Sequence, residues 1–277
     1  MEQRLRELSS TAATWIAKAK GIIILAGAGM GVDSGLPDFR GDKGFWKAYP
    51  MYEQLGIGFV EAANPQHFEA DPAFGWGFYG HRLGLYRQTS PHQGYQLILD
   101  WSKRLGLPYF VVTSNVDGHF QKAGFDEKRV LEVHGSIHHL QCSLPCGSYI
   151  WNNQHNIAVD VKRMRALEVP FCKTCGKTAR PNILMFADWN WVSERSDAQQ
   201  IRYKNFISEI GHEKLVALEL GAGLAVPTIR MMTERLSRQG VKAVRINPKD
   251  PVIARPNLSI AHGGKEALEA IDRALSL

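Results

Sequence analysis

A chain of 277 residues with 44% hydrophobic side chains has room for one large α/β domain with insertions, or for two lobes around a cleft. Its formal net charge of +6 and pI near 9.1 give a mild bias towards anionic ligands, but 33 basic residues are interspersed with 27 acidic ones and form no long basic run, so no specific nucleic-acid partner is expected. Residues 1–20 carry charges at Glu2, Arg4, Arg6 and Glu7 and no uninterrupted apolar core. That pattern speaks against a signal peptide or membrane span and predicts an amphipathic capping helix. The cytoplasm is then the expected location, where the four cysteines should ligate metal in preference to forming disulfides.

The first strand is predicted at 22–26, where Ile22, Ile23, Ile24 and Leu25 are apolar throughout, as in a parallel strand covered on both faces. It runs into Gly27-Ala28-Gly29-Met30-Gly31-Val32-Asp33-Ser34-Gly35-Leu36-Pro37-Asp38-Phe39-Arg40. Glycines just beyond such a strand let backbone amides approach a pyrophosphate with no Cβ in the way. A plain glycine turn is the alternative, and Asp38-Phe39-Arg40 weighs against it. A carboxylate, an aromatic ring and a guanidinium in a row suit a dinucleotide with phosphates, riboses and a flat cationic ring. Residues 41–90, rich in Trp, Phe, Tyr, Gly and Pro, predict short packed helices and loops inserted after this loop.

Further strands are predicted at 109–113, 130–133, 215–220 and 241–246, with helices at 94–104 and 225–239. The alternation implies a doubly wound parallel sheet with a ligand beyond the carboxyl ends of its strands. Residues 1–40, 91–136 and 181–277 are assigned to this Rossmann-like domain, 41–90 to a helical insertion and 137–180 to a small zinc-binding module. Thr113-Ser114-Asn115-Val116-Asp117-Gly118-His119 and Leu131-Glu132-Val133-His134-Gly135-Ser136 place polar groups at two adjacent strand ends, which should converge on one cleft. His134 titrates near neutrality and can take a proton, although a structural strand-end histidine reads the same way. Asn115 and Asp117 are open to the plainer reading of polar strand caps.

Cys142-x3-Cys146 and Cys172-x2-Cys175 stand on either side of a 25-residue loop and suit a closed, structural tetrahedral zinc site. Four sulfurs complete that shell, so His138 and His139 are left out of it.

Taken with Gly27-Ala28-Gly29, Pro37-Asp38-Phe39-Arg40 and Arg180-Pro181-Asn182, these motifs resemble the sirtuins, the NAD-dependent protein deacylases, in the family's order from about residue 21 to 247. The resemblance implies a Rossmann-like NAD domain whose two insertions wall an acyl-lysine cleft. It implies that His134 is the catalytic histidine and that Asn115 and Asp117 line the nicotinamide pocket. Gly27, Ala28, Gly29, Pro37, Asp38, Phe39, Arg40, Ser114, Gly221, Ala222, Gly223 and Asn247 would contact NAD, with Asn247 on the adenine side. Phe39 would cover the ribose centre and keep water out. NAD is then a consumed co-substrate, zinc is structural, and the partner is an acyl-lysine protein or peptide.

Tyr79 and Arg82 match the Tyr-x-x-Arg of family members that prefer acidic acyl groups, and a guanidinium with a phenol beside it can bind a terminal carboxylate. The alternative packs Tyr79 in the core and sends Arg82 to solvent. Four departures from the family pattern stand out. Its Thr-Gln-Asn is Thr113-Ser114-Asn115, its Gly-Thr-Ser is Gly221-Ala222-Gly223, its Phe-Gly-Glu is Phe186-Ala187-Asp188, and a usual serine is Gly31. Trp189 and Trp191 follow the third and could reshape or block the peptide groove. Two other readings therefore stay open: an NAD glycohydrolase or mono-ADP-ribosyltransferase on the same fold, and a non-catalytic NAD or ADP-ribose sensor.

Overall fold

The computed structural model describes residues 2–37 and 41–276. In chain order α1 (Glu2–Lys18) leads to β1 (Gly21–Ala26) and the short α2 (Gly29–Val32). A run of helices follows: α3 (Gly41–Ala48), α4 (Pro50–Gln54), α5 (Phe59–Ala62), α6 (His67–Ala70) and α7 (Pro72–Gln88). The chain returns through α8 (Gln93–Leu105) to β2 (Tyr109–Thr113), α9 (His119–Lys122) and β3 (Val130–Glu132). A second excursion holds β4 (Gly135–Cys142), β5 (Trp151–Asn152), β6 (Val159–Asp160), β7 (Arg165–Ala166) and β8 (Ala179–Ile183). The last part is α10 (Glu194–Ile210), β9 (Leu215–Leu220), α11 (Thr228–Arg238), β10 (Lys242–Ile246), β11 (Leu258–Ile260) and α12 (Gly264–Leu275).

Six parallel strands form the large sheet in the order β11-β10-β9-β1-β2-β3, which is the doubly wound arrangement with its switch point between β1 and β9. The all-apolar β1 is covered on both faces: Ile22 and Ile24 pack in one core cluster with α1, α8 and α12, and Ile23 and Leu25 pack in another with α10 and α11. Leu5, Ala12, Ala13 and Ile16 form the buried stripe of α1, the amphipathic cap expected at the N-terminus. The edge strand β11 was not anticipated, because Leu258-Ser259-Ile260 is too short to stand out as an apolar run.

The smaller sheet, β5-β4-β8, is antiparallel. Gly135 pairs with Ile183 and Cys142 with Ala179, so this pairing runs across the expected boundaries at 136/137 and 180/181. One core cluster joins the helical insertion to this sheet, with Phe45, Tyr52, Trp76 and Phe78 against Ile137, Leu140 and Ala179. The Trp76 indole donates to the Ala179 carbonyl at 2.8 Å within it. Among the described residues no helix is long and apolar enough to cross a membrane.

Candidate active site

Two strand-end turns meet at the switch point. Gly27, after β1, donates to the Leu220 carbonyl at 3.0 Å, and Gly29 donates to the Gly221 carbonyl at 2.9 Å. A Cβ on Gly27 would lie 2.8 Å from Ala222 Cα, and one on Gly221, which has φ of +62°, would lie 2.4 Å from Gly29 C and Met30 N. The glycines therefore allow two backbones to touch. Next to them the ends of β1 and β2 are tied: the Asn115 side chain donates to the Gly27 carbonyl at 3.0 Å, and Thr113 Oγ1 donates to the Ala26 carbonyl at 3.0 Å.

A cavity of about 510 Å³ opens beyond these strand ends. Gly27, Ala28, Gly29, Pro37, Ser114, Asn115, Asp117, His134, Gly221, Ala222 and Gly223 all line it, as do Tyr79 and Arg82. Asp38, Phe39 and Arg40 lie outside the described residues. Asn247 is placed differently. It is fully buried, donates to the Ala222 carbonyl at 2.8 Å and accepts from the Lys249 and Asp250 amides at 3.0 Å each, so it braces the turn behind the cavity and does not line it.

His134 sits just past β3, with its backbone carbonyl accepting from the Leu184 amide at 3.0 Å. Burial holds its imidazole below the ordinary histidine range, opposed by a backbone hydrogen bond to Ser114. A half-buried, largely neutral imidazole facing a cavity is chemically a base. Asp117 is buried, accepts the His119 amide at 2.9 Å, and has its pKa raised by burial. Its own carbonyl accepts from His138 Nε2 at 2.8 Å, which uses His138 away from the cysteines.

α7 contributes the far wall. Asp71 caps its start by accepting the Phe74 amide at 3.3 Å, and residues 75–80 are all buried. Tyr79 and Arg82 lie on one face as the spacing predicted, and both are buried, so the solvent-directed alternative for Arg82 does not hold. Arg82 Nε and Nη2 donate to Tyr86 Oη at 2.9 and 2.6 Å, with the guanidinium 5.1 to 5.7 Å from the Phe78, Tyr79 and Tyr86 ring centres. Burial pushes the Tyr79 phenol up to about 12, so it remains a neutral donor.

The segment after β8 borders the same cavity through Met185 and Phe186. Ala187, where the family pattern has glycine, takes a left-handed φ of 52°, and Asp188 turns inward to Arg180. Trp189 is 95% exposed, and neither it nor Trp191 lines the cavity, so these indoles do not block it. Gly31, the other departure, leaves room for Leu36, whose Cδ1 lies 3.1 Å from where a Cβ would stand.

The four cysteine sulfurs gather within 4.8 Å of one another, with Cys142 and Cys175 at 3.5 Å and Cys146 and Cys172 at 3.7 Å. A tetrahedron with metal–sulfur arms of about 2.3 Å has edges of about 3.8 Å, so the donor set fits a four-thiolate metal site.

The profile of the Sir2 family matches residues 27–211, from the first glycine turn to the end of α10. The chain belongs to the Sir2 family. It is 29% identical over 245 residues to the NAD-dependent protein deacetylase 1 of Geobacillus kaustophilus (strain HTA426), covering 86% of this chain and 85% of that one. It is 32% identical over 189 residues to the mitochondrial NAD-dependent protein deacylase sirtuin-5 of Danio rerio, covering 62% and 58%. Among solved structures, a Sir2 homolog–NAD complex superposes with a TM-score of 0.71 at 22% identity over 96% of this chain and 93% of that one, which shows the shared fold.

Three features of this Sir2-family site escaped the sequence reading. Tyr86 follows Tyr79 by seven and Arg82 by four, the spacing of one helical face, and that periodicity was the available signal. Phe59 and Ala63 reach the cavity from α5 and the residue after it, where nothing in the sequence marks them. Thr228, at the start of α11, places Oγ1 3.4 Å from His134 Nε2, a contact across 94 residues that no local pattern encodes.

Proposed function

We propose that this Sir2-family chain is an NAD-consuming protein-lysine deacylase that releases nicotinamide and O-acyl-ADP-ribose. The observation that carries the reading is the convergence of His134, Asn115 and Asp117 on a cavity bounded by the Gly27 and Gly221 turns. The NAD-dependent deacetylase and deacylase names of its relatives support it. The acyl oxygen of a modified lysine attacks C1′ of the nicotinamide ribose as nicotinamide leaves. His134 then accepts a proton from a ribose hydroxyl, whose oxygen attacks the captured acyl carbon, and water completes the transfer. Asn115 and Asp117 line the nicotinamide end, and the buried Asp117 carboxyl faces it in a setting poor in water.

At the far wall, Arg82 with Tyr79 favours an acyl chain ending in a carboxylate, because a buried guanidinium binds a carboxylate through charge-assisted hydrogen bonds and strongly resists deprotonation. Cys142, Cys146, Cys172 and Cys175 would hold a structural zinc ion. With four thiolates it has no open position, so its contribution is to fold the lobe around β4 and β8.

The test is mass spectrometry of the protein incubated with NAD and paired acetyl-lysine and succinyl-lysine peptides, with His134→Ala as control. O-acyl-ADP-ribose formed by wild type and absent in the control is expected. ADP-ribose alone, or ADP-ribosylated protein, would mean a glycohydrolase or transferase, and NAD binding without turnover would mean a sensor.

A further inference from the structure

Between β9 and α11 the chain crosses the cavity mouth as Gly221-Ala222-Gly223-Leu224-Ala225-Val226-Pro227, and none of these side chains carries a hydrogen-bonding group. Thr228, the first residue of α11, is the first on this crossing that does. Its hydroxyl is spent neither on solvent alone nor on its own helix: Oγ1 lies 3.4 Å from Nε2 of His134. The next residue, Ile229, is 1% exposed and packs into the core with β1 and β9. The start of α11 is thereby anchored, and a β-branched side chain on a helix has few rotamers to choose from.

We infer that Thr228 is a positioning residue for His134, its hydroxyl holding Nε2 towards the cavity before and after proton transfer. The inference rests on the deacylase reading above. A threonine hydroxyl both donates and accepts. Before the ribose hydroxyl arrives, the neutral imidazole has one lone pair on Nε2 and the Thr228 hydroxyl donates to it, and the ribose O–H then takes its place. In the transfer step the ribose O–H bond breaks, its proton moves to Nε2, and the oxygen's electron pair forms the bond to the acyl carbon. As the ribose oxygen leaves for the acyl carbon, the new Nε2–H is accepted by Oγ1, whose own hydrogen has rotated away, so the imidazolium keeps an acceptor. Leaving that charged donor without a partner in a half-buried site would raise the barrier of this step only, since nicotinamide has already left.

The experiment compares wild type, Thr228→Val and Thr228→Ser with NAD and the better of the two acyl peptides, following nicotinamide exchange and O-acyl-ADP-ribose formation in parallel. Valine keeps the shape and removes the hydroxyl. It is expected to lower O-acyl-ADP-ribose formation about tenfold while exchange falls far less, and serine should restore most of the rate. Equal loss of both steps in T228V, wild-type rates in T228V, or a T228S as impaired as T228V would each overturn the role. Wild type that forms no O-acyl-ADP-ribose would overturn the deacylase reading and this role with it. Active wild type with an unaffected valine variant would overturn the role alone.

Discussion

Arg180 and Asp188 form a two-point ion pair with no solvent-exposed surface on either side chain, Nη1 to Oδ2 at 2.7 Å and Nη2 to Oδ1 at 2.9 Å. The same carboxylate accepts the Met185 amide at 3.2 Å and the Asn190 amide at 3.1 Å. Arg180 stands on β8, one residue from the Ala179 that pairs with Cys142, so the pair ties the cavity-lining segment around Phe186 to the cysteine lobe. Asp188→Asn keeps the shape and strands a buried guanidinium. It is expected to lower the unfolding free energy by about 3 kcal/mol and to raise KM for peptide more than the Kd for NAD. Denaturant unfolding and steady-state kinetics measure both, and a loss under about 1 kcal/mol would mean the pair contributes no more than an exposed one.

Gly221→Ala tests the contact between the two glycine turns. The left-handed φ of +62° and the 2.4 Å approach to Gly29 and Met30 leave no place for a methyl group. The backbone strain alone costs roughly 1–2 kcal/mol, and relieving the clash must separate the turns. Weakened NAD binding by calorimetry together with a lower melting temperature is expected. Unchanged binding would mean that the turns can part without loss of the nucleotide site.

Acid should destabilise the fold through its buried and half-buried histidines. Burial lowers the pKa of His134 and His138, and takes His119 to about 4 and His139 to about 3. Below the ordinary histidine value of about 6.5 the unfolded chain binds more protons than the folded one, so stability is fully present above that pH and declines as the pH falls towards 4 and 3. Melting temperatures taken from pH 7.5 to 4.5 at constant ionic strength should fall steadily below about 6.5. A flat profile over that range would show that these rings gain compensating partners when protonated.

Much of this architecture was legible because its signals are local. Ile22-Ile23-Ile24-Leu25 announces a strand covered on both faces, and the cysteine pairs announce their cluster by spacing alone. α7 was harder: it is buried nearly all round and contains Gly75, Gly77, Gly80 and Gly84, so it shows little amphipathic period, and only the Tyr79 and Arg82 spacing hinted at a shared face. Asn247 reads in the sequence as a strand-end polar group that could reach a ligand, and only the fold reveals that its amide also braces the Ala222 and 247–250 turns. The His134–Thr228 and Arg180–Asp188 contacts depend on how strand ends and loops are brought together in three dimensions, which no spacing rule contains.

The four-cysteine cluster predicts one zinc per chain by elemental analysis. Cys142 and Cys172 are buried while Cys146 and Cys175 are exposed, so a strong chelator has a route to the metal. Its removal is expected to lower the melting temperature by more than about 5 °C, because the free energy of binding the ion to the folded lobe is lost and the cysteines return to neutral thiols. Cys172→Ser should abolish stoichiometric zinc. Full stability after chelation, with zinc demonstrably gone, would mean that the Trp76 and β4–β8 contacts hold this lobe unaided.

Arg82 gives the sharpest test of acyl preference. Its guanidinium is held by Tyr86 Oη at 2.6 and 2.9 Å and packed between three aromatic rings, so its direction is set before any substrate arrives. A carboxylate reaching it exchanges solvation for charge-assisted hydrogen bonds, whereas a methyl group gains nothing from the charge. Arg82→Met, close in length and uncharged, is therefore expected to lower the succinyl-to-acetyl ratio of kcat/KM by about 10- to 100-fold, chiefly through KM for the succinyl peptide. Tyr86→Phe should lower the same ratio by a smaller factor, since it takes away one partner of the guanidinium and leaves the charge in place. Equal losses on both peptides in Arg82→Met would instead show that the residue supports the wall of α7 and has no part in choosing the acyl chain.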